Sequence, residues 1–445
     1  MHESLVENNE FKDSPLGKIP NDWETFKMAS FASIKYGIND AIDQTLESGV
    51  STITLPCVKS TGELVLNKDT LGLTIKNKVF SDDFLERGDL LFNWRNGSQE
   101  HLGKTAYFDV VGEYTHVGFL LRIRTKSDIC YSRYLWWQLC FIKYQGFFLK
   151  AKSQVNNTFN SAELADVRVI IPPLKEQQRI AEILDTVDNT IAHTSDLITK
   201  LKQTKAGLLH DLLTCGLNEN GQLRNPETHP EQFKDSVLGQ IPIEWEIISI
   251  GELGSWKGGL TPSKLVASNW TNGNVLWISP KDFKEGEISD SEDKITEKAL
   301  INSNLSLFEA GDIIVVFRSS ILRHKFPVAV VKTAFTVNQD IKVLQPNAGV
   351  CRKYVFFAMQ HMGLQILKSA VKAGTTVESV DLQTFCDLPF ILPSKKEQEK
   401  IITILDIYDA RISKEEVYLN KLKLQKQGLM QDLLTGKVRV KSIKQ

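Results

Sequence analysis

Phe11–Glu24 reads FKDSPLGKIPNDWE, and Phe233–Glu246 reads FKDSVLGQIPIEWE. Ten of these fourteen positions are identical, at a constant offset of 222. A second pair repeats at an offset of 221: EQQRIAEILDTVDNTI from Glu176 and EQEKIITILDIYDARI from Glu397. That match runs without a gap to KAGLLHDLLT (Lys205–Thr214) and KQGLMQDLLT (Lys426–Thr435). Between the matched blocks the halves diverge. Solenoid repeats have periods of about 20–50 residues, so this spacing describes two domain-sized copies of one unit. Each copy is an opening motif, a divergent insert and a long helix. A duplication kept for stability alone gives its inserts no reason to diverge more than its frames. The frame therefore reads as scaffold and the inserts as readers. Two such copies are expected to meet about a pseudo-twofold axis, because identical surfaces are self-complementary under that operation.

The helical blocks carry apolar residues in alternating steps of four and three, the seam of a coiled coil. The first has Ile180, Leu184, Val187, Ile191, Ile198, Leu201, Leu208 and Leu212; the second has Ile401, Leu405, Tyr408, Ile412, Leu419, Leu422, Leu429 and Leu433. Pro172, Pro173 and Pro393 set the starts. A helix this long with one apolar stripe needs a partner, and the other copy supplies it as an antiparallel mate. Thr194 and Lys205 break the first seam; Glu415 and Lys426 break the second. Matched breaks facing each other place Lys205 opposite Glu415 and Thr194 opposite Lys426. The helix ends (Leu208, Leu209, Leu212, Leu213; Leu429, Met430, Leu433, Leu434) are apolar on more than the seam side, which predicts packing on a further surface.

These elements define an α+β chain. The expected divisions are a first domain with its opening segment (1–171), a first helix (172–214), a linker with the repeated opening motif (215–246), a second domain (247–392) and a second helix with a tail (393–445). The inserts proper run from about Thr25 to Ile171 and from about Ile247 to Leu392. Faint landmarks survive between them. Glu86-Arg-Gly-Asp-Leu-Leu-Phe matches Glu309-Ala-Gly-Asp-Ile-Ile-Val, each a turn and an apolar strand leading to an arginine, Arg95 or Arg318. Arg133-Tyr134-Leu-Trp-Trp matches Lys353-Tyr354-Val-Phe-Phe, a core-facing helix.

The insert loops are rich in side chains that read base edges, since arginine and lysine pair with guanine and asparagine and glutamine with adenine. The first offers Lys35, Asn39, Lys59, Ser60, Asn93, Arg95, Asn96, Gln99, His101, Gln154, Asn156 and Asn157. The second offers Lys257, Thr261, Ser263, Lys264, Lys281, Arg318, Ser319, Arg323, His324, Lys372, Thr375 and Thr376.

Catalytic motifs do not assemble. GSQEHLGKT (Gly97–Thr105) has five residues between its glycines where a phosphate loop needs four. The histidines lack metal-ligand spacing, and the six cysteines lack a Cys-x-x-Cys pair. They read as free thiols. The amino terminus is polar and acidic, unlike a signal peptide, and no apolar run reaches the ~20 residues of a membrane span. A cytoplasmic location is expected. The net charge of −1 argues against indiscriminate coating of nucleic acid but leaves room for a local basic stripe.

PPLKEQQRIAEILD from Pro172, LPSKKEQEKIITILD from Leu392, the IPNDWE and IPIEWE motifs, KGGLTPSK from Lys257 and LLTGKVRV from Leu433 together resemble type I restriction–modification specificity subunits. The resemblance covers essentially the whole chain in the order variable, shared, variable, shared. One departure is Lys35-Tyr36-Gly37-Ile38, where the second insert has its Gly-Gly segment. The resemblance implies two target recognition domains, each binding half of a split double-stranded DNA site, joined by an antiparallel helical spacer. It implies two methylation subunits, which carry S-adenosylmethionine and flip the target adenine, and restriction subunits on the same platform. This chain then carries no cofactor and no chemistry of its own. The rival readings are a coiled-coil adaptor whose inserts bind proteins, and a self-contained DNA methyltransferase.

Overall fold

The computed structural model describes residues 6–7, 11–39, 48–95, 99–150, 158–284, 286–374 and 377–440. The chain divides into two compact units, one of residues 1–196 and 417–445, the other of residues 197–416. Each unit takes an insert and part of both long helices, Leu174–Thr214 and Lys395–Leu434.

In the first unit a four-stranded antiparallel sheet has the order Ala32–Tyr36, Leu120–Thr125, Leu90–Asn93, Thr105–Tyr107. Beside it, Tyr114–His116 runs parallel to Val50–Ile53, which pairs antiparallel with Leu71–Thr74. The second unit repeats this plan. Its larger sheet has the order Gly254–Gly258, Ile341–Pro346, Ile313–Val316, Val328–Val331, with Glu287–Ile288 added in parallel at the edge. Its smaller sheet sets Phe335–Val337 parallel to Val275–Ile278, with Asp293–Ile295 antiparallel on the other side. Divergent inserts thus share one topology.

The Gly-Asp strands explain their unbroken apolar runs. A strand covered on both faces has no polar side to alternate with. Leu90 and Phe92 join the core around the helix Ser132–Tyr144, while Leu91 faces Ile53, Ala106 and Leu120. Likewise Ile313 and Val315 face the helix Arg352–Ala370, and Ile314 and Val316 face Phe335, Val337 and Val343.

The opening motif and the last strand of each insert close its neck. Glu24–Lys27 pairs with Arg168–Ile171, and Glu246–Ser249 with Pro389–Leu392, both antiparallel. The first turn of each long helix then ties the neck. Glu176 Oε2 accepts from Trp23 Nε1 at 3.0 Å, and Glu397 Oε2 accepts from Trp245 Nε1 at 3.0 Å. An arginine completes each tie: Arg439 bonds Glu176 and Asp22, and Arg224 bonds Glu397 and Glu244. The adjoining glutamines hold the insert. Gln177 accepts from Tyr131 N at 2.8 Å and donates to the Ile129 and Pro172 carbonyls. Gln398 accepts from Cys351 N at 2.8 Å and donates to the Gly349 and Pro393 carbonyls. The repeated Glu-Gln pair is therefore a structural fastening, which accounts for its recurrence between unlike inserts.

Within each unit the two helical segments run antiparallel, and the broad apolar ends are covered by the unit's own insert. Leu212 and Leu213 share a core with Ile401, Leu405, Phe357 and Phe390; Leu433 and Leu434 share one with Ile180, Leu184, Trp137 and Tyr134. The seam differs from expectation. Lys205 Nζ meets Asp409 Oδ1 at 2.5 Å rather than Glu415, and Lys426 pairs with Asp188 rather than Thr194. Thr194 donates back to the Thr190 carbonyl at 2.8 Å, and Glu415 makes no ion pair among the described residues. The reason is a third element at the seam. Lys205 Nζ lies over the Phe357 ring at 5.3 Å, and Lys426 Nζ over the Trp137 ring at 4.9 Å. Each lysine joins both long helices to an insert helix, a geometry that seam periodicity alone does not encode. All six cysteines are free.

Candidate nucleic-acid interface

Arg95 and Arg318 occupy equivalent places. Each follows its Gly-Asp strand, is exposed, and makes an isolated antiparallel bridge, to Thr158 or to Ser379. The same backbone bond backs each bridge: Phe159 N donates to the Trp94 carbonyl at 2.7 Å, and Val380 N to the Phe317 carbonyl at 2.8 Å. Neither guanidinium has a carboxylate partner among the described residues. Arg95 lies 6.0 Å from the centre of the Phe119 ring, which is half exposed.

Around Arg318 the structure gathers part of the expected set. The Asp340 carbonyl accepts from Phe317 N at 2.7 Å and from Arg318 N at 3.3 Å. The neighbouring Gln339 accepts from Thr261 Oγ1 at 2.7 Å. Lys257 is exposed one residue before the Gly-Gly pair. That pair permits close approach: a Cβ on Gly259 would lie 1.7 Å from the Val337 carbonyl oxygen. Gly37 does the same in the first insert, where a Cβ would lie 2.2 Å from the His116 oxygen. The departing segment Lys35-Tyr36-Gly37-Ile38 thus keeps the one glycine the backbone requires. Lys264 is exposed beside Trp270, 5.7 Å from its ring centre. Ser263 and His324 are exposed, and the Ser263 carbonyl accepts from Trp270 Nε1 at 3.2 Å.

Other candidates are already engaged. Lys35 contacts Asp82 and Asp83, both at 2.9 Å, and these bonds hold its ammonium above the usual lysine range. Lys281 contacts Asp293 at 3.0 Å and Glu292 at 3.1 Å, with the same effect. Arg323 meets Glu378 at 2.5 Å and lowers that carboxyl's pKa. Lys372 meets Asp381 at 2.8 Å and holds that carboxyl far below the usual range, with Thr384 assisting. A cation must leave its carboxylate to reach a phosphate or base, so these four are engaged by acids of the insert loops rather than free. Asn93 is 2% exposed and sits in the sheet, its Oδ1 without a partner among the described residues. His101 is half-buried, and Ser319 caps the short helix Ser320–Arg323. Asn39 is exposed and packs its amide oxygen on Gly118; Lys59 is half-buried and Ser60 exposed. Asn96, Gln154, Asn156, Asn157, Thr375 and Thr376, and the side chain of Gln99, lie outside the described residues.

Phe119, Gln339 and the lysines Lys104 and Lys143 stand at these edges without having been singled out. Phe119 and Gln339 occupy the matching turns that precede the strands Leu120–Thr125 and Ile341–Pro346; the register aligns Phe119 with Asp340 and Gln339 with Gly118, a match of turns visible only once the sheets are aligned. Among the described residues no group of three or more His, Cys, Asp or Glu could hold a metal, and no helix is long and apolar enough to cross a membrane.

A family model described as type I restriction modification DNA specificity domain matches residues 20–203 and again 242–424. Over 227 residues the chain is 34% identical to the type I restriction enzyme EcoR124I/EcoR124II specificity subunit of Escherichia coli. That match spans 51% of this chain and about half, 54%, of the E. coli protein. Over 446 residues it is 22% identical to the type I restriction enzyme MjaVIII specificity subunit of Methanocaldococcus jannaschii, covering 97% of each. A solved S subunit of a type I restriction–modification system from M. genitalium has the same fold, with a TM-score of 0.55 at 13% identity, over 98% of this chain and 99% of that one.

Proposed function

The chain belongs to the type I restriction–modification DNA specificity family, and from that premise we propose that it reads a split double-stranded DNA target, one half with each insert. It has no catalytic step of its own. Two methylation subunits, each holding S-adenosylmethionine, dock on the frame and methylate adenine in the bound site; restriction subunits join the same platform. The complex works in the cytoplasm.

One observation carries this reading. Arg95 and Arg318 stand at the same point of one shared topology, yet their surroundings differ: Phe119 and Asn39 in the first unit, Gln339 and Thr261 in the second. A constant platform with changed edge groups is what two half-sites of different sequence require, because base edges are distinguished by the donors and acceptors presented to them. One small reader gives only about 1–3 kcal/mol per correct base pair. Joining two readers multiplies selectivity through effective concentration.

Adenine methylation mapped across a genome, with and without this chain, tests the proposal. The expected result is a two-part motif with an unread gap, present only with the chain. Replacing residues 25–171 by the same region of another family member should alter one half of the motif. Alteration of both halves, or methylation independent of the chain, would falsify the reading.

A further inference from the structure

Lys104 and Lys143 line one cleft of the first unit, and Lys59 stands at its rim next to the lining residue Ser60, close enough for its charge to act on Lys104. Lys59 follows the short helix Leu55–Cys57, Lys104 precedes the strand Thr105–Tyr107, and Lys143 lies in the last turn of Ser132–Tyr144. All three are half-buried. None forms an ion pair with a carboxylate among the described residues; Lys143 Nζ donates to the Glu100 carbonyl at 3.0 Å. Burial pushes the Lys104 ammonium toward its neutral form, and the Lys143 and Lys59 charges push the same way against Glu100. Elsewhere in this chain lysines at insert edges find acids, as Lys35 and Lys281 do. Here like charges are held together in partly dry surroundings, an arrangement that a bound anion relieves.

The site is built rather than incidental. The cleft has a volume of about 440 Å³; its lining includes Ser60, Thr61, Gly62, Lys104 and Lys143, faced by Lys423, Lys426 and Asp188 of the long helices, the Asp188 carboxylate being taken up by Lys426. Gly62, at φ +86°, lies so close to Trp136 that a Cβ would come within 2.6 Å of the ring. Trp136 Nε1 in turn donates to the Thr105 carbonyl at 2.9 Å. The turn bearing Lys59, Ser60 and Thr61 is thereby seated on the hairpin bearing Lys104. That hairpin is also the one that leads to Arg95. The Lys104 carbonyl accepts from Asn93 N at 2.7 Å, two residues before the arginine. In the second unit a smaller cleft of about 130 Å³ at the corresponding hairpin contains Lys284 and Lys325.

We propose that Lys59, Lys104 and Lys143 form a phosphodiester-binding site that grips the DNA backbone beside the bases read by Arg95. The inference rests on the DNA-reading role stated above. The residue types divide the labour. An ammonium is a compact charge without the planar fork that matches guanine, so it suits a phosphate oxygen. Backbone contacts fix register without carrying sequence information.

The test uses the full chain with its methylation subunit, a duplex carrying the target and a random duplex, each titrated across a salt series. K104Q/K143Q is expected to weaken binding to both duplexes by a similar factor and to lower the magnitude of the salt slope by about two, near 0.9 for each phosphate no longer neutralised. K104R/K143R, which keeps the charges, should keep the slope and so separates charge removal from misfolding. Replacing single phosphates beside the first half-site by neutral methylphosphonates should weaken wild type at one position and leave K104Q/K143Q unaffected there. Unchanged affinity and slope in a folded K104Q/K143Q complex overturn the proposal. So does a folded variant that no longer assembles with the methylation subunit, because the cleft would then be a protein-docking site. A wild-type complex without sequence preference, whose slope still depends on the lysines, would sink the specificity reading and uphold this site.

Discussion

The guanidinium of Arg439 lies 2.7 Å from the carboxylate of Glu176, and both residues are buried. Arg439 also reaches Asp22 through two bonds of 2.7 Å, so the residue near the C-terminal end of the described chain holds the first opening motif. Arg224 does the same for the second motif, 2.6 Å from Glu397. The two arginines are not aligned by either repeat offset. They follow their helices at different distances and reach the same partners.

Removing one member of a buried pair strands the other charge, which costs about 3–5 kcal/mol. Arg439→Ala is therefore expected to destabilise the first unit by that order, and Arg224→Ala the second. Arg439→Lys should recover only part, because one ammonium cannot span Asp22 and Glu176 as a fork does. Urea unfolding followed by tryptophan fluorescence measures this through Trp23 and Trp245, which bond the two glutamates. A loss below about 1 kcal/mol, the range of exposed ion pairs, would mean that the tie contributes little.

The seam lysines should behave differently. The Lys205 side chain is 20% exposed and that of Asp409 45%, so water screens the pair. A double-mutant cycle on Lys205 and Asp409 should return a coupling of about 0.2–1 kcal/mol, and one on Lys426 and Asp188 a similar value. Glu415→Lys should shift stability by less than about 0.5 kcal/mol, as for an unpaired surface position. A large loss from Glu415→Lys would revive the register with Lys205 opposite Glu415.

For the readers, Arg95→Ala and Arg318→Ala should each weaken binding to the specific duplex by about 1–3 kcal/mol more than to random DNA. Arg323→Ala should discriminate less, because that side chain braces Glu378 instead of standing free. Equal losses on both duplexes for Arg95→Ala would assign that residue to the backbone.

The first unit should also lose stability in mild acid. His116 is 1% exposed, neither ring nitrogen has a hydrogen-bond partner of good geometry among the described residues, and burial, then the Arg122 charge, lowers its pKa to about 4. It is neutral when folded, whereas the unfolded chain binds a proton below the ordinary value of 6.5. The unfolded state thus holds more protons between the two values. Stability falls as the pH drops from 6.5 to about 4 and levels off below that, by up to about 3 kcal/mol from this residue. His116→Leu should flatten that limb of the melting-temperature profile. An unchanged slope in the variant would assign the acid sensitivity to other groups.

Repetition and periodicity made the frame legible. Copied motifs marked the two units, the three-four spacing marked both long helices, and the Gly-Asp runs marked the strands that lead to Arg95 and Arg318. These signals are local: helix period, turn residues and a strand covered on both faces all act within a few residues of chain. The repeat even showed that the helix ends would meet more than a seam.

What the tertiary structure decided was which charges are spent and which are free. Asn93 resembles a reader in the sequence but fills the sheet, and Lys281, Arg323 and Lys372 are matched by acids on other turns. Arg323 and Glu378 stand 55 residues apart, and Lys205 and Asp409 204 apart. Lys59, Lys104 and Lys143 look no different in sequence from lysines that found partners. Composition can count charges, but an ion pair forms only when folding brings two charges within a few ångströms, and that distance is set by the packing of segments far apart along the chain.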